Sequence, residues 1–253
     1  MAASLNELSN PARRKLDSPL RWLHAPAVQA LARLLPQRCA LCGARAGVAV
    51  LCEPCRVALP ALPLPCPVCA QPSAGGGACG QCLGKPPRFA ATVAAHAYAF
   101  PLDRLVQALK YAHRLEVAQP LGDALADALL RAPASLAGVA AIVPMPLSRA
   151  RQRERGFNQA IEIARVVARR TGVPVAHLLS RTTHAPPQAS LPWAQRAKNV
   201  RGAFACGQRL AGRHVAVLDD VMTTGATLDA AAAALLAAGA TRVDAWVVAR
   251  TLK

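Results

Sequence analysis

Two sets of residues in this chain have the types and spacing to do chemistry. The first is a continuous run, Val215-Ala216-Val217-Leu218-Asp219-Asp220-Val221-Met222-Thr223-Thr224-Gly225-Ala226-Thr227. It reads as an apolar strand, two adjacent acids, a Thr/Gly turn and the start of an Ala-rich helix. A strand of a parallel sheet delivers such a turn to the carboxyl edge, where open α/β folds bind ligands. Backbone N–H groups and hydroxyls at Thr223–Thr227, opening a helix, suit an anion such as phosphate. Gly225 allows the backbone to approach that anion closely. Asp219 and Asp220 accept hydrogen bonds and so suit the vicinal hydroxyls of a ribose, not the phosphate. Ordinary strand-end acids and a threonine N-cap would account for an isolated TTG, but not for the whole run.

The second set is cysteine. Eight of the nine form the pairs Cys39/Cys42, Cys52/Cys55, Cys66/Cys69 and Cys79/Cys82, separated by nine, ten and nine residues. Each CxxC turn brings two thiolates to one ion, and two turns complete a tetrahedral four-thiolate site, so eight ligands imply two structural Zn2+ ions. Sequential pairing, the first four and then the last four, is the expected arrangement; cross-braced pairing stays open. Disulfides or redox pairs are the alternative. The first 38 residues, with Glu7, Asp17 and four prolines, hold no apolar stretch before a small-residue cleavage site. A cytoplasmic location is therefore expected, and reduced clustered cysteines favour metal. Cys206 stands alone and reads as a small buried or loop residue.

A basic cluster adds a third feature. Val143-Pro144-Met145-Pro146-Leu147-Ser148 leads into Arg149, Arg151, Arg153 and Arg155, followed by Gly156-Phe157-Asn158-Gln159. Guanidinium forks match phosphate oxygens, although a run of arginines ahead of a helix is also ordinary solvated surface. The whole chain carries 30 Lys+Arg against 13 Asp+Glu, a net charge of +17. That invites a nucleic-acid partner. Yet the excess is spread along the chain, and between Cys39 and Cys82 there are two arginines, one glutamate and no aromatic residue. Single-strand binders want basic grooves with stacking rings, so a ribbon that stiffens the chain or docks a protein is an equal reading of the zinc module.

The elements that must position these groups follow from periodicity. Residues 1–38 form a basic extension with a short amphipathic helix at Pro26–Leu35. Residues 39–88 are the double zinc ribbon, closing on Gly84-Lys85-Pro86-Pro87, and residues 89–253 the larger domain. There, strands are expected at Thr92–Phe100, Ala140–Val143, Val173–Leu179, His214–Leu218 and Arg242–Ala249. Helices are expected at Leu102–Ala112, Leu121–Leu130, Asn158–Thr171 and Thr227–Ala238. Alternating strands and helices make an α/β domain with a parallel sheet covered on both faces. Residues 181–212 break this rhythm and read as a long binding loop or lid, or as hiding a short strand near Val200–Ala205. With 53% hydrophobic and 17% charged residues the chain is not disordered. Its Ala-rich apolar stretches, broken by Arg131, Pro133 and Pro144, fall short of the ~20 residues of a membrane span.

The 215–227 run resembles the motif of the type I phosphoribosyltransferase superfamily, an apolar strand followed by DDxxTTGxT. The resemblance implies that Asp219 and Asp220 hold the ribose of phosphoribosyl pyrophosphate while Thr223, Thr224, Gly225, Ala226 and Thr227 cradle its 5′-phosphate. Purine-salvage members place a carboxylate where this chain has Thr223, so base-assisted deprotonation of a purine is not implied. The Val143–Arg149 segment is similar to the pyrophosphate loop of amidophosphoribosyltransferases, which assigns Pro144, Met145, Pro146, Arg149 and Arg155 to pyrophosphate, with Mg2+ bridging its oxygens. Together with Leu109-Lys110-Tyr111, the Arg155–Gln159 block, and Arg181, Gln188, Arg196 and Asn199 of the lid segment, the chain resembles the ComF family over roughly residues 39–250. Members pair a zinc module with a phosphoribosyltransferase-like domain and are associated with natural competence and DNA uptake. The resemblance leaves three classes open: a transferase, a single-stranded-DNA-handling factor acting with DNA or a DNA-uptake protein, and a regulatory protein that binds phosphoribosyl pyrophosphate or a nucleotide without turnover.

Overall fold

The computed structural model describes residues 37–182 and 202–252. The expected helix at Pro26–Leu35 and the lid residues Gln188, Arg196 and Asn199 lie outside them.

The amino-terminal module is made of turns. A two-stranded antiparallel ribbon, β1 (Gln37–Arg38) with β2 (Arg45–Gly47), carries the first CxxC turn, and the helical turn α1 (Glu53–Val57) follows the second. A second helical turn, α2 (Gly80–Gly84), holds Cys82. Half of the buried residues in this stretch are cysteines, the others being Leu51, Leu59, Ala70 and Gln71.

The rest is built on β3 (Thr92–Ala97), β4 (Val139–Pro144), β7 (His214–Met222) and β8 (Arg242–Arg250), all parallel in the order β3-β8-β7-β4. Eight consecutive residues of β8 are buried, as expected of a central strand covered on both faces. The α/β class expected from the sequence, a parallel sheet flanked by helices behind a zinc-ribbon module, is what the structure shows. Helix α3 (Leu102–Tyr111) buries Leu102, Leu105, Val106 and Leu109, one stripe at helical spacing. Helix α4 (Ala118–Arg131) packs against α6 (Gln159–Thr171), which starts at Asn158, whose Oδ1 accepts from Ala160 N at 2.9 Å, and stops at Gly172. Helix α7 (Ala226–Ala237) lays Leu228, Ala231, Ala232 and Leu235 on the core.

The α4–α6 contact is close because Gly122 has no side chain. A Cβ there would lie 2.5 Å from Val166 Cβ, an atom fixed by its own backbone. Gly122→Ala is expected to lower stability by about 2 kcal/mol, overpacking outweighing the gain in helix propensity. Urea unfolding monitored by circular dichroism measures it.

Three expectations are corrected in detail, and one alternative, a short strand near Val200–Ala205, is met by β6. Strand β7 runs to Met222, four residues past its expected end, because β8 continues to pair with it. The Arg149–Arg155 run is a helix, α5, capped by Ser148, whose hydroxyl accepts from Arg151 N at 3.3 Å. In place of a strand at Val173–Leu179, Val175 makes one bridge to Ile142, and the short β5 (Leu179–Arg181) comes later. Its antiparallel partner is β6 (Phe204–Cys206), the strand hidden at the end of the irregular segment.

Candidate phosphate and sugar site

The site begins with a register. The ladder of β4 on β7 ends at Pro144↔Leu218, with Met145 N donating to Leu218 O at 2.8 Å just beyond. Asp219, Asp220, Val221 and Met222 therefore extend past β4, supported on one side by β8. Here β4 turns away into the Pro144-Met145-Pro146 loop, while the acidic pair continues on β7. That loop is pinned from below: Asn158 Nδ2 donates to Met145 O at 3.0 Å. A cleft of about 600 Å3 is lined by Pro144, Pro146, Arg149, Arg153, Asn158 and His177; the acidic pair and the Thr223–Thr227 turn are not part of its lining.

The two acids are not equivalent. Successive strand residues point to opposite faces of a sheet. Asp220 is 3% exposed, with Lys110 Nζ of α3 lying 2.5 Å from its Oδ2. Asp219 is half-buried, and its Oδ1 accepts from Asp220 N at 2.9 Å. Burial disfavours the charge on Asp220, but the ammonium beside it prevails and holds the carboxyl below the usual range. Lys110 in turn is held above the ordinary lysine value: burial pulls it down and Asp220 outweighs that. Asp219 moves the other way, pushed well above the usual range by burial and by the Asp220 charge next to it. Arg181 on β5 contributes positive potential at Asp219.

The turn that follows is open at its start, where Thr223 is exposed. Thr224 Oγ1 accepts from Ala226 N at 3.2 Å, and Gly225 adopts φ 82°, the left-handed conformation that reverses the chain into α7. A Cβ on Gly225 would meet Met222 Cε at 2.7 Å and the Phe89 ring at 3.6 Å. Helix α7 thus starts directly after this turn, placing a helix N-terminus at the carboxyl end of β7.

Of the arginines assigned to pyrophosphate, Arg149 is exposed at the cleft, whereas Arg155 is 9% exposed and turned inward. Arg155 donates to Gln159 Oε1 at 2.7 Å, and its guanidinium carbon lies 5.5 Å from the Tyr111 ring centre. Two further residues lie near this edge: Arg250, which sequence reasoning misses, and Phe89, which it reads as a core-packing residue flanking the zinc module. Arg250 donates to the carbonyls of Met222 and Thr223, and Phe89 underlies Gly225. Neither belongs to a local motif; only the β7–β8 register and the docking of the linker bring them here.

The eight paired cysteines gather as Cys39/Cys42/Cys52/Cys55 and Cys66/Cys69/Cys79/Cys82, the sequential arrangement, each with its sulfurs within 4.8 Å of one another. The Cys42–Cys52 and Cys69–Cys79 sulfur separations are 3.6 Å. A tetrahedron of ~2.3 Å Zn–S bonds has edges of about 3.8 Å, so both groups fit Zn2+. No helix among the described residues is long and apolar enough to cross a membrane.

Residues 30–83 match the double zinc ribbon domain family. The chain is 35% identical over 191 residues to DNA utilization protein YhgH of Escherichia coli (strain K12), covering 74% of this chain and 84% of that protein. It is 31% identical over 178 residues to Competence protein F of Haemophilus influenzae, covering 68% and 78%. Among solved structures, the glutamine phosphoribosylpyrophosphate amidotransferase of B. subtilis, complexed with ADP and GMP, is 23% identical with a TM-score of 0.35, over 51% of this chain and 25% of that one. Two four-cysteine ribbons stand ahead of a parallel sheet whose β7 carries the acidic pair, and the likeness to these curated relatives runs over most of their length; the chain belongs to the ComF family.

Proposed function

We propose that the carboxyl edge of the sheet binds phosphoribosyl pyrophosphate or a nucleotide 5′-phosphate, and that the protein acts in natural competence and DNA uptake. The observation that supports the ligand reading is the placement of three parts at the carboxyl end of β7. These are the acids of β7 projecting past β4, the Thr223–Thr227 turn at the start of α7, and the Pro144-Met145-Pro146 loop hydrogen-bonded to β7. The names borne by the relatives, DNA utilization protein and Competence protein F, support the process.

Each part has a distinct task. The turn's amides and hydroxyls take the 5′-phosphate. Asp219, the freer of the two acids, accepts from the ribose hydroxyls, while Asp220 stays with Lys110 and fixes the height of the pair. The loop and Arg149 face the pyrophosphate. Mg2+, bound with the ligand, would neutralise the pyrophosphate oxygens. In a transferase, an acceptor's lone pair would bond to the anomeric carbon as pyrophosphate leaves with the C–O electrons.

Calorimetric titration with phosphoribosyl pyrophosphate and Mg2+ tests this. Wild type should bind, and Asp219→Asn should weaken binding by about tenfold or more, the loss of hydrogen bonds to a charged acceptor. Affinity should rise with pH through the elevated Asp219 pKa, because the ribose donates to the ionised form. An absence of binding by wild type, or an Asp219→Asn titration that overlays it, overturns the reading. Pyrophosphate release across candidate acceptors then separates a transferase from a binding protein.

A further inference from the structure

Arg250, the last residue of β8, is 2% exposed, yet among the described residues it has no carboxylate at ion-pair distance. Its guanidinium donates to carbonyls from two different parts of the chain. Nε donates to Cys69 O at 2.7 Å, inside the Cys66–Cys69 turn of the second cysteine group. Nη1 donates to Met222 O at 3.0 Å, to Thr223 O, and to Thr251 O at 3.0 Å. The ribbon is docked on the sheet by further bonds, at this strand end and at the start of β3. Gln71 Nε2 donates to Thr251 O at 3.0 Å, and Thr92 Oγ1 donates to Val68 O at 2.6 Å.

A buried cation needs compensation. Carbonyl dipoles supply part of it. The nearby charge is that of the second cysteine group, whose four thiolates around one Zn2+ carry roughly two net negative charges. The zinc centre is thus both the scaffold that presents Cys69 O and the counter-charge that makes a buried Arg250 tolerable. The same side chain holds the carbonyls that begin the Thr223–Thr227 turn. Among the described residues the first cysteine group has no such link to the Thr223–Thr227 turn; Arg114 Nη1 of the larger domain donates to Ala40 O within it at 3.4 Å.

We propose that Arg250 is a positioning residue that ties the second zinc centre to the Thr223–Thr227 turn, so that this centre, and not the first, sets the shape of the phosphate cradle. The role in ligand affinity rests on the proposed function; the mechanical link does not.

The full zinc-loaded chain is compared with Arg250→Gln, Arg250→Lys and the first-centre variant Cys42→Ser. Zinc content is measured by elemental analysis, amide exchange over residues 222–227 by mass spectrometry, and affinity for phosphoribosyl pyrophosphate with Mg2+ by calorimetry. Arg250→Gln should leave the second centre filled, raise exchange over 222–227 by about tenfold with β3 and β4 unchanged, and weaken ligand binding by a similar factor. Arg250→Lys, which keeps the charge but not the fork, should fall between, and carries the test if the glutamine variant does not fold. Cys42→Ser should leave exchange at 222–227 within about twofold of wild type. Unchanged exchange in a folded Arg250 variant, or an equal rise in Cys42→Ser, overturns the proposal. If wild type binds no ligand, the proposed function fails while the exchange data still decide the link.

Discussion

Removing zinc with a chelator is expected to unfold residues 37–84 while leaving the four-stranded sheet folded. The reason lies in what the ribbon lacks. Apart from cysteines, its buried apolar side chains are Leu51, Leu59 and Ala70. Two buried leucines contribute about 2–3 kcal/mol each, whereas ordering the backbone costs about 1–2 kcal/mol per residue. A structural zinc in a small module supplies about 10–16 kcal/mol, more than the two buried leucines together, so the ribbon's fold depends on its metal. Amide exchange before and after chelation, with zinc release followed in parallel, checks this; protection persisting over 37–84 in zinc-free protein would refute it. The sheet has its own core, with Trp246, Leu218, Ile142 and Leu125 fully buried, and should keep its protection.

Much of this was readable from the sequence because the signals are local. A CxxC turn uses four residues to aim two sulfurs, so the cysteine spacing points to two four-thiolate sites, with the structure deciding for sequential over cross-braced pairing. Asn158 and Gly172 bracketed α6 by capping chemistry, and the 215–227 run announced strand, turn and helix in order. What was not legible depended on partners far apart in the chain. The extension of β7 to Met222 is decided by β8, and it changes the site: acids on a strand face opposite ways, acids on a loop need not. Lys110 reads from sequence either as a solvated helix residue or as part of a family block. Only the packing of α3 shows that it neutralises Asp220, 110 positions later. The Arg149–Arg155 run has no apolar stripe, so periodicity was silent on α5, which Ser148 and the arginines' own helix propensity suffice to form.

Lys110→Met is expected to lower stability by about 3–5 kcal/mol at neutral pH, the usual effect of removing one partner from a buried ion pair. The side chains of Lys110 and Asp220 are 20% and 5% exposed, so solvent takes up little of the loss. This is a large part of the roughly 5–15 kcal/mol that keeps a domain folded. The pH dependence separates charge from packing. In wild type the Asp220 carboxyl is depressed when folded, so its contribution is present above the unfolded carboxylate pKa of ~3.9 and fades as pH falls through the folded value. Without Lys110, Asp220 is left buried beside Asp219 with no cation at ion-pair distance, and the pair takes up a proton more readily folded than unfolded. The variant's stability should then fall as pH rises from about 4 toward neutrality, widening its gap from wild type over that window. Adding Asp220→Asn removes the stranded charge, so Lys110→Met/Asp220→Asn should recover most of the loss at about pH 7, a coupling that a double-mutant cycle in urea measures directly. A loss independent of pH and not recovered in the double variant would assign the effect to packing and remove Lys110 as the counter-ion of the acidic pair.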